Sequence, residues 1–224
     1  KAQLLDAQRS RCRVLHHGHY VDPLYRMVST LNAQLPGLGH HARPADTLTV
    51  AQLEAQNGAW VDFLWSDLGS AGTTGQTALR LYDIMRDGGA SHAFSRKLAK
   101  KLVAWIGQTF GTSGRAPVLQ GVTVDQLVLG AVDATLGQLA QSQRASYAQT
   151  MSAADVADLR WYIGSPVRRQ LRRAGILHPE RLDLGFVFGH THKPFEDSLP
   201  VDGFDRPVSV FNTGGWVMDQ PTMA

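Results

Sequence analysis

Leu184-Gly185-Phe186-Val187-Phe188-Gly189-His190-Thr191-His192 is the stretch that decides how this chain folds. Its first five residues form a short apolar run bounded by turn signals, the pattern of a buried strand. Two histidines one residue apart follow at once, so both imidazoles arrive at one spot on the sheet's edge. Imidazole is the commonest protein ligand for a transition metal. A second stretch of the same design, Val14-Leu15-His16-His17-Gly18-His19, lies far upstream. Two strand ends built alike lead to the expectation of one shared metal site. Alternation along the upstream strand sends His16 and His17 to opposite faces, so only one of them faces such a site. His16, His17 and His19 all remain open as ligands on this ground.

Bulk properties narrow the function classes. A chain of 224 residues accommodates one large domain, or a domain with an insertion. Its 43% hydrophobic content suits a globular core. A formal net charge of only +3 is no signature of nucleic-acid binding. Cys12 is the single cysteine, which excludes an intrachain disulfide and a cysteine-based zinc site. A lone cysteine points to a reducing, cytoplasmic compartment. No apolar run is long enough for a membrane span; the longest candidate, Val122 to Leu139, is interrupted by Asp125 and Asp133. Lys1 is not an initiator methionine, and Lys1 to Arg11 carries no signal-peptide pattern. The expectation is a processed or truncated chain.

Along the sequence, Ala2 to Gln8 reads as the end of a helix and Cys12 to His17 as a strand. Asp22-Pro23 opens a helix to about Leu35, with Leu24, Met27, Val28 and Leu31 on one face. Thr49 to about Gly175 reads as almost wholly helical. The segments are Val50 to Leu68, Thr77 to Arg86, Ala93 to Phe110, Val124 to Gln141 and Ser152 to Ile163, with a last helix opened by Pro166 and stopped by Gly175. Leu184 to Phe188 and Val208 to Phe211 then read as strands, the second followed by Asn212-Thr213-Gly214-Gly215. The expected class is α/β (α+β). The expected parts are a core segment at 1–39, a helical insertion or cap at 40–181, and a second core segment at 182–224.

With these stretches together, the pattern resembles the calcineurin-like metallophosphoesterases. That family carries D-x-H, G-D-x-x-D, G-N-H-[DE], a His-Gly element often followed by His, and G-H-x-H, in that order. His17-Gly18-His19 resembles the fourth block and Gly189-His190-Thr191-His192 the fifth. Val208 to Gly215 resembles the family's closing strand and turn. The first three blocks have no counterpart here. The resemblance spans roughly Lys1 to Leu35 and Leu182 to Trp216, and it implies a chain that begins midway through the family's domain. The implied fold is the C-terminal part of a four-layer αββα sandwich with a large helical insertion. The implied activity is hydrolysis of a phosphomonoester or phosphodiester at two divalent metal ions (Mn, Fe or Zn). His17 and His190 would hold one metal and His192 the other. His19 is the implied catalytic residue on the substrate side, and Asn212 the implied support of the loop beside the metals. The remaining ligands would come from the missing blocks, leaving this chain alone inactive or nearly so.

Other features carry plainer readings. His40-His41, His92 and His178 read as surface or loop histidines, and capping and solvation account for Asp22 and Glu196. Arg96-Lys97 with Lys100-Lys101 reads as a solvated face, with an anionic or lipid-linked substrate at the insertion as the functional counterpart. Arg168-Arg169 with Arg172-Arg173 fits a helix C-terminus. Trp60, Phe63 and Trp65 read as helical core, against the alternative of an apolar substrate site. Two rival functions stand beside the phosphoesterase. One is a mononuclear zinc hydrolase using His17, His190 and His192. The other is a non-catalytic interaction scaffold working through Lys100 and its neighbours.

Overall fold

The structure, a computed structural model, describes residues 2–6, 10–34, 47–69, 88–119, 121–144, 151, 153–189 and 194–214. The chain divides into two compact units, residues 1–22 with 149–224, and residues 23–148. Compactness thus sets the boundaries elsewhere than at 39/40 and 181/182. The physical reason lies in which apolar faces meet, as described for each unit below.

The first unit is a mixed α/β unit built on a five-stranded sheet. Its strands are β1 (Ala2–Asp6), β2 (Arg11–His16), β5 (Asp183–Phe188), β6 (Phe195–Leu199) and β7 (Val208–Asn212). The order across the sheet is β1-β2-β5-β7-β6. The central three strands are parallel, and β1 and β6 pair antiparallel at the two edges. Ala2–Asp6 is therefore a strand and not a helix end. Its Ala, Gln and Leu residues favour helix weakly, and an open strand edge at Arg11–His16 outweighs that preference.

The register decides which side chains share a face. Cys12, Val14 and His16 align with Leu184, Phe186 and Phe188, and Phe186 and Phe188 align with Val210 and Asn212. This face is buried, apart from the half-buried His16. The opposite face carries Leu15, Val187 and Phe211, of which Leu15 remains 38% exposed and the other two are half-buried. The buried face meets α5 (Ala153–Tyr162), where the Tyr162 ring packs edge-on to Phe186 at 5.9 Å. That contact is why residues 149–181 belong with the sheet.

Pro166 does not open a helix. It sits inside a π-helical turn, Ile163–Val167, that joins α5 to the short α6 (Arg168–Arg173). Proline lacks an N–H and its ring crowds the carbonyl four residues back, and the wider turn relieves both. Gly175, at φ 91°, stops the helix as expected. The Ile176 N–H donates to Leu171 O at 3.1 Å and the Gly175 N–H to Arg172 O at 3.1 Å, a Schellman closure.

The second unit is helical, with α1 (Met27–Gln34), α2 (Val50–Gly69), α3 (Gly88–Phe110) and α4 (Val124–Arg144). A small hairpin, β3 (Pro117–Leu119) and β4 (Val122–Thr123), precedes α4. Residues 77–86, read as a helix from sequence, lie outside the described residues. Leu24, Met27, Val28 and Leu31 join Trp60, Leu98, Leu102, Val128 and Val132 in one core. Residues 23–34 therefore belong to the helical unit and not to the sheet. No described helix is long and apolar enough to cross a membrane.

Trp60 is fully buried in this core and its Nε1–H donates to Leu24 O at 2.8 Å. It is a packing residue, and no face of it is left for a substrate. Arg96, Lys97, Lys100 and Lys101 are all exposed, while Leu98, Ala99 and Leu102 on the same helix are buried. A polar cluster ties α1 to α2. Asn57, fully buried, accepts from the Ser29 N–H at 3.1 Å and donates to Ser29 Oγ at 2.6 Å and Leu53 O at 2.8 Å. Truncation would orphan the Ser29 amide, so Asn57→Ala is expected to cost about 2 kcal/mol. Urea unfolding of the variant checks this; an unchanged midpoint would show that the cluster contributes nothing.

Candidate metal centre

Strands β2, β5 and β7 end level with one another. His16 pairs with Phe188, and Phe188 with Asn212. Being parallel, the three strands deliver their next residues to the same edge, the carboxyl edge where α/β sheets place their ligands. Those residues are His17-Gly18-His19, Gly189, and Thr213-Gly214.

Hydrogen bonds fasten the three segments together. The Gly189 N–H donates to His17 O at 3.1 Å, and the Thr213 N–H to Phe188 O at 2.8 Å. Thr213 Oγ1 donates to the same carbonyl at 3.2 Å. Asn212 is only 4% exposed, and its Oδ1 accepts the Gly214 N–H at 3.0 Å. The Asn212 side chain thereby fixes the turn that follows β7, an Asx-type closure. Space is short here: a Cβ on Gly189 would stand 3.2 Å from Gly214 O. Pro194 Cδ stands 3.5 Å from where a Gly214 Cβ would be. Gly189 and Pro194, which flank residues 190–193, therefore both lie against the Gly214 backbone. His190 and His192 themselves lie outside the described residues.

The upstream histidines separate as strand alternation requires. His16 faces the helix layer, with Nε2 at 3.2 Å from the Tyr162 hydroxyl and Nδ1 accepting the Gly18 N–H at 2.9 Å. His17 is exposed and His19 half-buried. Their Nδ1 atoms are 3.3 Å apart. Two ring nitrogens at that distance can share one proton or one cation, whereas two protons between them would collide. Two nitrogens bound to one tetrahedral zinc at 2.0–2.1 Å would themselves lie about 3.3 Å apart. The described part of this edge thus offers two ring nitrogens within reach of one cation. Among the described residues, no group of three or more His, Cys, Asp or Glu is gathered to hold one.

The remaining candidates lie elsewhere. His178 bonds Glu180 at 3.0 Å, and His92 lies 3.7 Å from Asp133, both at exposed positions. A backbone hydrogen bond to Glu180, His178 and Arg172 together hold the Glu180 carboxyl down at about 2. Residues 40 and 41 lie outside the described residues. Cys12 is buried in the sheet, and burial pushes its thiol up. The contact of Tyr162 with His16, 146 residues apart, has no sequence signal that periodicity or spacing could have exposed. Comparison of the chain with protein-family models, with curated proteins and with solved structures returns no match.

Proposed function

We propose that this chain carries the C-terminal histidine ligands of a metallophosphoesterase that hydrolyses a phosphomonoester or phosphodiester at a dinuclear metal centre. One observation carries the reading: the bond from the Gly189 amide to the His17 carbonyl. It brings His17 and Gly189, the residue before His190 and more than 170 positions from His17, to one sheet edge. His190 follows Gly189 in the chain, and His17, His190 and His192 are the proposed ligand set. The half-exposed apolar face of Leu15, Val187 and Phe211 also suits one half of a layered sandwich.

Two divalent cations (Mn, Fe or Zn) would supply an activated hydroxide and neutralise the phosphate oxygens. Neutral imidazoles at His17, His190 and His192 would hold them. His19, beside His17, would meet the substrate phosphate or the leaving oxygen. Asn212 would keep the Thr213-Gly214 turn in place beside the ligands. A mononuclear zinc site at His17, His190 and His192 is the second reading.

Metal content and hydrolysis of p-nitrophenyl phosphate and bis-p-nitrophenyl phosphate, measured on the full-length protein before and after chelation, test this. The expected result is two metals per chain, with activity lost in chelator and restored by Mn, Fe or Zn. One metal per chain with no phosphoester turnover would favour the mononuclear hydrolase. No metal, with an unchanged fold in chelator, would leave an interaction scaffold.

A further inference from the structure

We propose that His16 is the positioning residue of the metal-binding edge: its ring pins the Gly18 turn so that His17 and His19 face each other. The inference rests on the metal reading for its consequence, though not for its geometry.

A backbone N–H can only donate. Because His16 Nδ1 accepts the Gly18 N–H at 2.9 Å, that nitrogen carries no proton. The neutral ring therefore bears its proton on Nε2, which faces the Tyr162 hydroxyl at 3.2 Å. One imidazole thus joins the histidine loop to α5, across 146 positions of sequence. Ring contacts hold it in plane. The His16 ring stacks on His19 at 5.4 Å and 28°, and on Phe186 at 6.4 Å and 28°. It meets Tyr162 at 5.5 Å.

The bond to Gly18 matters because of what Gly18 does. Its φ of 99° reverses the chain between His17 and His19. The turn continues with the Val21 N–H donating to Gly18 O at 2.9 Å and the Asp22 N–H to His19 O at 3.0 Å. Without an acceptor at residue 16, the Gly18 amide loses the partner that sets the start of this turn. The 3.3 Å approach of the two outer histidines depends on that start. Groups that orient metal ligands from behind typically alter affinity 10–100-fold when removed.

Asparagine and leucine separate this role from mere packing. In His16→Asn the side-chain Oδ1 would stand where the imidazole Nδ1 stands, since Asn side chains bond the backbone two residues on. His16→Leu offers no acceptor at all, so the test pairs the two variants. Zinc or cobalt titration of the full-length protein should find His16→Asn within about threefold of wild type, and His16→Leu weakened about 10–100-fold. Hydrogen exchange at the Gly18 amide should quicken in His16→Leu and stay slow in His16→Asn. Should His16→Leu fail to fold, His16→Gln, whose longer chain misplaces the acceptor, takes its place. Equal affinity and equal exchange in the Asn and Leu variants would overturn the proposal. A wild-type protein that takes up no metal would overturn the metal reading instead, and the exchange of Gly18 would still decide whether His16 sets the turn.

Discussion

His17→Ala in the full-length protein should lower metal-dependent phosphoester hydrolysis by about a thousandfold or more, equivalent to several kcal/mol of transition-state stabilisation. The expectation follows from position. His17 leaves the end of β2 on the exposed side, and its own carbonyl receives the amide that opens the His190 segment. Its ring is thus the one described histidine that both reaches outward and is tethered to the second histidine stretch. The fold should barely notice the loss. Surface truncations away from buried networks change stability by about 0.5 kcal/mol or less, so the unfolding midpoint should stay put. His178→Ala is the fitting control, because His178 is exposed and bonded to Glu180 in a different part of the sheet unit. It should leave the rate within about twofold. A His17→Ala protein with full activity and full metal content would remove His17 from the ligand set. The next candidate would be His19, whose Nδ1 lies 3.3 Å from that of His17.

The parts of this fold that were legible are those whose side chains announce their own environment. Leu184 to Phe188 is nearly continuously apolar because both its neighbours are parallel strands and its inner face is buried. Val208 to Asn212 alternates buried and half-buried positions, with β5 parallel on one side and β6 antiparallel on the other. The edge strands lack such a signal. Phe195–Leu199 places Glu196, Asp197 and Ser198 between its apolar ends, as an exposed edge requires, and only its pairing with β7 makes it a strand. Ala2–Asp6 is likewise a strand through its partner alone. The helical stripe of Leu24, Met27, Val28 and Leu31 was visible, but a stripe does not say which surface it will meet. It meets Trp60 and Leu98, which moves it out of the sheet unit. At the candidate site, alternation turns only one of His16 and His17 toward the ligands, without saying which. It could not show that the inner ring has Tyr162 as a partner, because the two residues meet only when α5 returns across the sheet. His190 and His192, on which the family resemblance leans most, lie outside the described residues.

Gly18→Ala should be the most destabilising single-methyl change at this edge, costing about 2–5 kcal/mol. Two effects add. A left-handed backbone costs a non-glycine residue about 1–2 kcal/mol, and Gly18 has φ 99°. The new Cβ would also stand 2.7 Å from Phe188 Cδ2 and 3.2 Å from Phe188 Cβ, and overpacking of this kind costs about 1–3 kcal/mol. Phe188 cannot simply swing away. It is 2% exposed, and its ring packs on Phe186 at 5.5 Å and Phe195 at 6.0 Å. Its carbonyl is also engaged by Thr213. Pressure at Gly18 therefore passes into the same strand end that carries Gly189 and the G-H-T-H stretch. The variant should lose stability and metal affinity together, whereas His17→Ala should lose affinity alone. Urea unfolding and zinc titration on the same preparations separate the two. A Gly18→Ala protein with an unchanged midpoint would mean that Phe188 yields, and that the three strand ends are less tightly fastened than their hydrogen bonds imply. If stability fell but affinity held, the turn at Gly18 would matter to the fold and not to the metal. The ligand geometry would then have to be set from the Asn212 side.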